Sequence, residues 1–108
     1  MKDEHAERKK SFEAADYPAL RELFPAYLHQ DFGEQYGTPG EAVKGFLAEA
    51  SGDEILQVKE EWKAFRSALR SWPFDEVQGA LDRLGSAWMP ENEAQLKELD
   101  EILSHAEA

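Results

Sequence analysis

No cysteine occurs among the 108 residues, so neither a disulfide framework nor a thiolate metal site is available. Side chains branched at Cβ are scarce too: three valines, two isoleucines and one threonine. No stretch of four to eight residues alternates apolar and polar side chains with β-branched enrichment, which argues against a sheet. No apolar run approaches the ~20 residues needed to span a bilayer. The start, Met1-Lys2-Asp3-Glu4-His5, lacks the apolar centre of a signal peptide, and the cytosol is the expected address. Basic residues are few, 12 against 23 acidic ones, for a net charge of −11. Such a surface repels nucleic acid and anionic membranes. The chain has no P-loop, GxGxxG, HExxH or GxSxG pattern, so an enzyme has little support.

What is present describes a small folded unit. A chain of 108 residues reads as one domain, able to bury roughly two-thirds of the surface its unfolded form exposes. Apolar residues make up 42%, with three Trp, three Tyr and six Phe, which is not a disordered composition. Acid is unevenly spread. Residues 1–10 carry net +1, residues 31–61 net −6 and residues 91–108 net −5. This charge would attract a basic protein, and many nucleases are basic because they hold phosphates. Solubility alone is the other reading of the same acidity.

Periodicity predicts an all-α bundle of about five helices with short connections. Residues 1–13 are charged and read as a frayed or partly helical lead-in. The first helix starts near Asp16 as cap, with Pro18 in its first turn. Leu20, Leu23, Phe24, Tyr27 and Leu28 lie at helical spacing. Pro25 should kink or split that helix after Phe24, and Gly33 should end it. Thr38 and Glu41 form a capping box around Pro39 for the second helix, which buries Val43, Phe46 and Leu47 and stops at Ser51-Gly52. Ser51 and Glu54 open the third helix. Its apolar residues are Ile55, Val58, Trp62, Phe65, Leu69 and Trp72, a stripe about 100° wide. Pro73 ends it. A fourth helix, Phe74 to Leu84, buries Val77, Ala80, Leu81 and Leu84 and closes on Gly85. A fifth starts near Asn92 and buries Leu96, Leu99, Ile102 and Leu103.

Three features could carry chemistry or contacts. His29 and Asp31 could be an acid–base pair or two metal ligands. At i and i+2 they point apart on a helix, and no third partner is visible, so anchoring a helix end or loop is the simpler role. The row Lys59, Lys63, Arg66 and Arg70 could touch phosphate. Contact with the acidic faces of the second or fifth helix suits a net −11 protein better. Trp62 and Trp72 are in phase with the core. Trp88, beside Met89 and Pro90, either covers the end of the bundle or stands out as a partner contact.

Tyr17-Pro18-Ala19-Leu20, then Tyr27 with His29-Gln30-Asp31-Phe32, then Tyr36-Gly37, then Ala42-Val43 with Phe46-Leu47 resemble the opening half of the CdiI-type immunity proteins of bacterial contact-dependent growth inhibition. Leu84-Gly85 and the closing helix fit more loosely. The resemblance implies a protein of the bacterial cytosol that binds and neutralises a toxin domain at the C-terminus of a large secreted protein. It implies no enzyme activity, cofactor or metal. A common scaffold serving different toxins implies that Tyr27, His29, Gln30, Asp31, Phe32, Tyr36 and Gly37 are structural. Charge points to Glu49, Asp53, Glu54, Glu60 and Glu61, near the corner of the second and third helices, as the toxin-binding face, and Trp88 is a further candidate contact. The expected state is a monomer or weak dimer that does not bind nucleic acid or membrane. The rival readings are an acidic helical adaptor for another protein and, behind it, a small hydrolase using His29 and Asp31.

Overall fold

The computed structural model describes residues 12–30 and 32–106. It is all-α: α1 (Pro18–Tyr27), α2 (Pro39–Glu49), α3 (Gly52–Ala68), α4 (Phe74–Arg83) and α5 (Glu93–Ser104). A 3-10 turn, Ala14–Asp16, precedes α1, and a one-turn helix, Phe32–Gln35, lies between α1 and α2. There is no strand among the described residues.

The starts of α2, α3 and α5 carry local side-chain caps, whereas Pro73 ahead of α4 supplies none. The Thr38 hydroxyl accepts from the Glu41 N–H at 3.1 Å, while the Glu41 carboxylate lies 3.5 Å from Lys44. At α3 the capping box is complete: Ser51 Oγ accepts from Glu54 N–H at 3.2 Å, and Glu54 Oε1 accepts from Ser51 N–H at 2.8 Å. Asn92 caps α5 by accepting from Gln95 N–H. At α1 the cap is not local. Asp16 sits in the preceding 3-10 turn, and the N-cap residue, Tyr17, makes no side-chain cap. The cap comes instead from α3: Glu61 Oε1 accepts from the N–H of Ala19 (2.9 Å) and of Leu20 (3.1 Å).

Two expected breaks do not occur where the residue types suggest. Pro25 lies inside α1, which continues to Tyr27. Its missing N–H would have served the carbonyl of Arg21. Both residues are exposed, so water can reach that carbonyl and the last turn survives. Gly33 does not end α1 either; Leu28 does, its N–H reaching Phe24 O at 2.7 Å. Gly33 belongs to the one-turn helix. At the other end of the bundle α4 closes as anticipated. Gly85 takes φ +97°, Ser86 N–H bonds Leu81 O and Gly85 N–H bonds Asp82 O, the paired bonds of a left-handed helix stop. A Cβ on Gly85 would also come within 3.1 Å of Pro25.

The core forms along α3. Ile55, Val58, Trp62, Phe65 and Leu69 are all buried, as the spacing predicts. Phe65 is fully buried, edge-on to Phe12 and Tyr17 and stacked on Trp62 at 5.4 Å. Phe12 therefore anchors the end of what reads in sequence as a frayed lead-in; residues 1–11 lie outside the described part. α3 stops at Ala68, earlier than expected. Arg70 N–H bonds Ser67 O and Trp72 N–H bonds Leu69 O, so the chain tightens into turns before Pro73, which disfavours helix in the residue ahead of it. Trp72 is consequently only half-buried. Two members of the basic row, Arg66 and Lys59, meet α5 and the residues just past it. Arg66 reaches Asp100 at 2.9 and 3.1 Å, Trp62 Nε1 donates to the same carboxylate at 2.8 Å, and Lys59 donates to Ala106 O. Burial lowers the Arg66 pKa, but the hydrogen bond and charge of Asp100, with Glu93, outweigh it and raise the net value.

Candidate functional site

An open cleft of about 700 Å³ runs between α1 and the α2–α3 corner. Its apolar lining comes from Ala19, Leu23 and Ala26 of α1, Phe46 of α2 and Val58 of α3. Four carboxylates line it, Glu22, Glu49, Asp53 and Glu54, and no Lys or Arg does. They are spaced apart: among the described residues no three acidic or His side chains stand together as a metal site would require. A spread set of anions over apolar surface suits long cationic side chains, whose stems cover carbon while their heads meet carboxylates.

One edge of the cleft is held by an aromatic group. Tyr27 packs edge-on against Phe46 at 5.6 Å and lies tilted against Tyr36 at 6.1 Å. Its hydroxyl donates to Glu49 Oε1 at 2.6 Å. Tyr36 lies over Gly45, where a Cβ would come within 2.8 Å of the ring. Gly37 then turns the chain at φ +89°, a conformation that favours glycine. The fixed carboxylate of Glu49 thus depends on the aromatic packing beneath it.

A sequence model described as CdiI immunity protein matches residues 16–99, from ahead of α1 into α5. The chain belongs to the CdiI immunity protein family. No curated protein and no solved structure matches it. Membership makes the chain a toxin-neutralising immunity protein, and the match takes in the whole of the cleft.

Within this CdiI family member the predicted residues separate into three groups. Glu49, Asp53 and Glu54 meet in the cleft, joined by Glu22, which sequence reasoning missed because only the fold brings α1 beside α3. Glu60 lines a different groove, on the other side of α3. Glu61 is 7% exposed and holds the start of α1, with Gln57 donating to its second oxygen at 2.6 Å. Trp88, 8% exposed, packs in the core. Its carbonyl accepts from the buried Ser86 hydroxyl. In this structure Glu61 and Trp88 present little surface, which leaves Glu49, Asp53 and Glu54 as the predicted residues exposed at the cleft.

Of the family motif residues, Tyr27 lines the cleft and Tyr36 packs against it. Tyr27, His29 and Tyr36 are half-buried, Gln30 is exposed, and Phe32 opens the one-turn helix. Asp31 lies outside the described residues, so the pairing of His29 with Asp31 does too.

The Tyr27 phenol is pushed up to about 12, first by its hydrogen bond to Glu49, then by burial and the charges of Glu49, Tyr36 and Glu54. The neutral phenol is the favoured form. Its contribution to stability is complete below its ordinary value of 10.0 and is lost as pH rises from there toward about 12. A tyrosinate absorbance titration should show Tyr27 ionising last. Glu49→Gln should lower that midpoint, and Tyr27→Phe should remove it. A late-ionising signal that survives Tyr27→Phe contradicts this geometry.

Proposed function

We propose that this protein is a non-enzymatic inhibitor of a nuclease toxin domain and that the acidic cleft is its toxin-binding surface. Four carboxylates around an apolar floor, with no basic side chain among the lining residues, carry this reading. A nuclease must present cations to hold phosphate. Lys and Arg entering the cleft would be drawn from the substrate path, and the bundle would cover the catalytic surface behind them. The toxin domain is the C-terminal part of a large secreted protein, met in the cytosol by this chain as a monomer or weak dimer.

Speed matters for such an inhibitor, because damage begins on toxin entry. Complementary charge raises the association rate chiefly, and the effect fades with salt. The test uses the cognate toxin domain. Replacing Glu49, Asp53 and Glu54 together by Lys should slow association roughly 10- to 100-fold at low salt and flatten its salt dependence. Glu54 also closes the α3 capping box and Glu49 accepts from Tyr27, so some stability is lost with them, and thermal melts set the folded fraction at which association is compared. Association and salt dependence equal to wild type would place the toxin elsewhere on the surface.

A further inference from the structure

The opposite side of α3 carries a second groove with the reverse charge. It lies between α3 and α5 and has a volume of about 990 Å³. Lys59, Lys63, Arg66, Arg70 and Lys97 line it, against the three acids Glu60, Glu93 and Asp100. Arg66 is taken up by Asp100 and Glu93, and Lys59 by the Ala106 carbonyl. No ion pair or hydrogen bond holds the head groups of Lys63, Arg70 or Lys97 among the described residues. Leu56 stands at one end, 47% exposed, the one large hydrophobic side chain left in water among the described residues. Leu69 and Leu103 contribute to the floor. An uncompensated cationic strip beside an exposed leucine is unexpected on a chain of net −11.

We propose that this groove binds an acidic amphipathic helix of a second protein partner, distinct from the basic toxin. The groove follows α3 from Leu56 to Ser67, about 17 Å at 1.5 Å per residue, and continues into the turn at Arg70, room for a helix of roughly 14 residues. Such a helix would set leucines on Leu56 and the apolar floor and carboxylates against Lys63, Arg70 and Lys97. Nucleic acid fits less well. Three carboxylates line the same groove and would repel phosphates, and Leu56 would have nothing to meet. Because the two clefts lie on opposite faces of α3, toxin and acidic partner can be held at once.

The probe is a dye-labelled peptide of about 14 residues, with leucines at i, i+3, i+4 and i+7 and glutamates elsewhere, followed by fluorescence anisotropy. The controls are the same peptide with every glutamate replaced by lysine and a single-stranded RNA of equal length. The glutamate peptide should bind the wild-type chain, more weakly as salt rises. Lys63→Glu with Arg70→Glu should weaken it at least about tenfold, as should Leu56→Ser. The triple Lys replacement in the acidic cleft should not weaken it. Circular dichroism melts confirm that the variants, all at exposed positions, remain folded. No binding of the glutamate peptide, equal binding by the lysine peptide, or tighter binding of the RNA would each overturn the proposal. So would sedimentation of the wild type as a dimer that Lys63→Glu disperses, since the groove would then belong to a second copy.

Discussion

Phe65→Ala should lower stability by about 3–5 kcal/mol, through lost transfer energy and the cavity left behind. The ring is fully buried and touches three others, Phe12, Tyr17 and Trp62. These come from the segment before α1 and from α3 itself, so no single movement can refill the space. A domain of this size holds only about 5–15 kcal/mol in total, and each kcal/mol lost moves its melting temperature by about 4–8 °C. Thermal melts of the two proteins decide the matter. A midpoint unmoved by the substitution would mean that α3 is not the spine of the core.

Glu61→Ala is expected to be nearly as damaging, at about 2–4 kcal/mol. The substitution strips the acceptor from two N–H groups at the start of α1 and leaves the Leu20 amide buried without a partner. It also removes a negative charge from the positive end of the helix dipole. Glu61→Gln keeps an acceptor oxygen and should cost less than Glu61→Ala. Urea titrations of both variants, read with amide exchange at Ala19 and Leu20, separate the cap from general packing. If Glu61→Ala unfolds at the wild-type urea concentration, water already serves those amides and the cap is unimportant.

The contrast between Glu61 and Ser51 explains how much of this fold could be read from the chain. Ser51, Asn92 and Gly85 act on groups within a few residues, so their chemistry is visible in sequence and the structure reproduces it. The α1 cap arrives from a residue 41 or 42 positions away, which no local pattern encodes, and Asp16 is the plausible but wrong local candidate. Pro25 is misleading for a related reason: its effect depends on whether the freed carbonyl meets water, a property of the folded surface.

The site shows the same division. Glu49, Asp53 and Glu54 flank the short α2–α3 junction, and their convergence follows from that proximity. Glu60 and Glu61 are adjacent in sequence, yet neighbours on a helix point about 100° apart. One enters the basic groove and the other the interior. An acidic run read as one patch is therefore divided between two destinations. Glu22 becomes part of the cleft only through the packing of α1 on α3. The Tyr27–Glu49 bond joins motif residue and cleft across 22 positions, a link that neither residue type announces.

The placement of opposite charge on the two sides of α3 has a consequence for rotational motion during encounter. Glu54 and Lys63 are nine residues apart, about half a turn out of phase, so the molecule carries an electric dipole across its longest helix as well as a net charge. The net charge draws a basic body inward from any direction. The dipole exerts a torque that turns the acidic cleft toward that body before contact. Fewer collisions then begin in a wrong orientation. Neutralising Lys63 and Arg70, far from the cleft, would make the protein more acidic overall yet weaken this alignment, so stronger attraction need not bring faster capture.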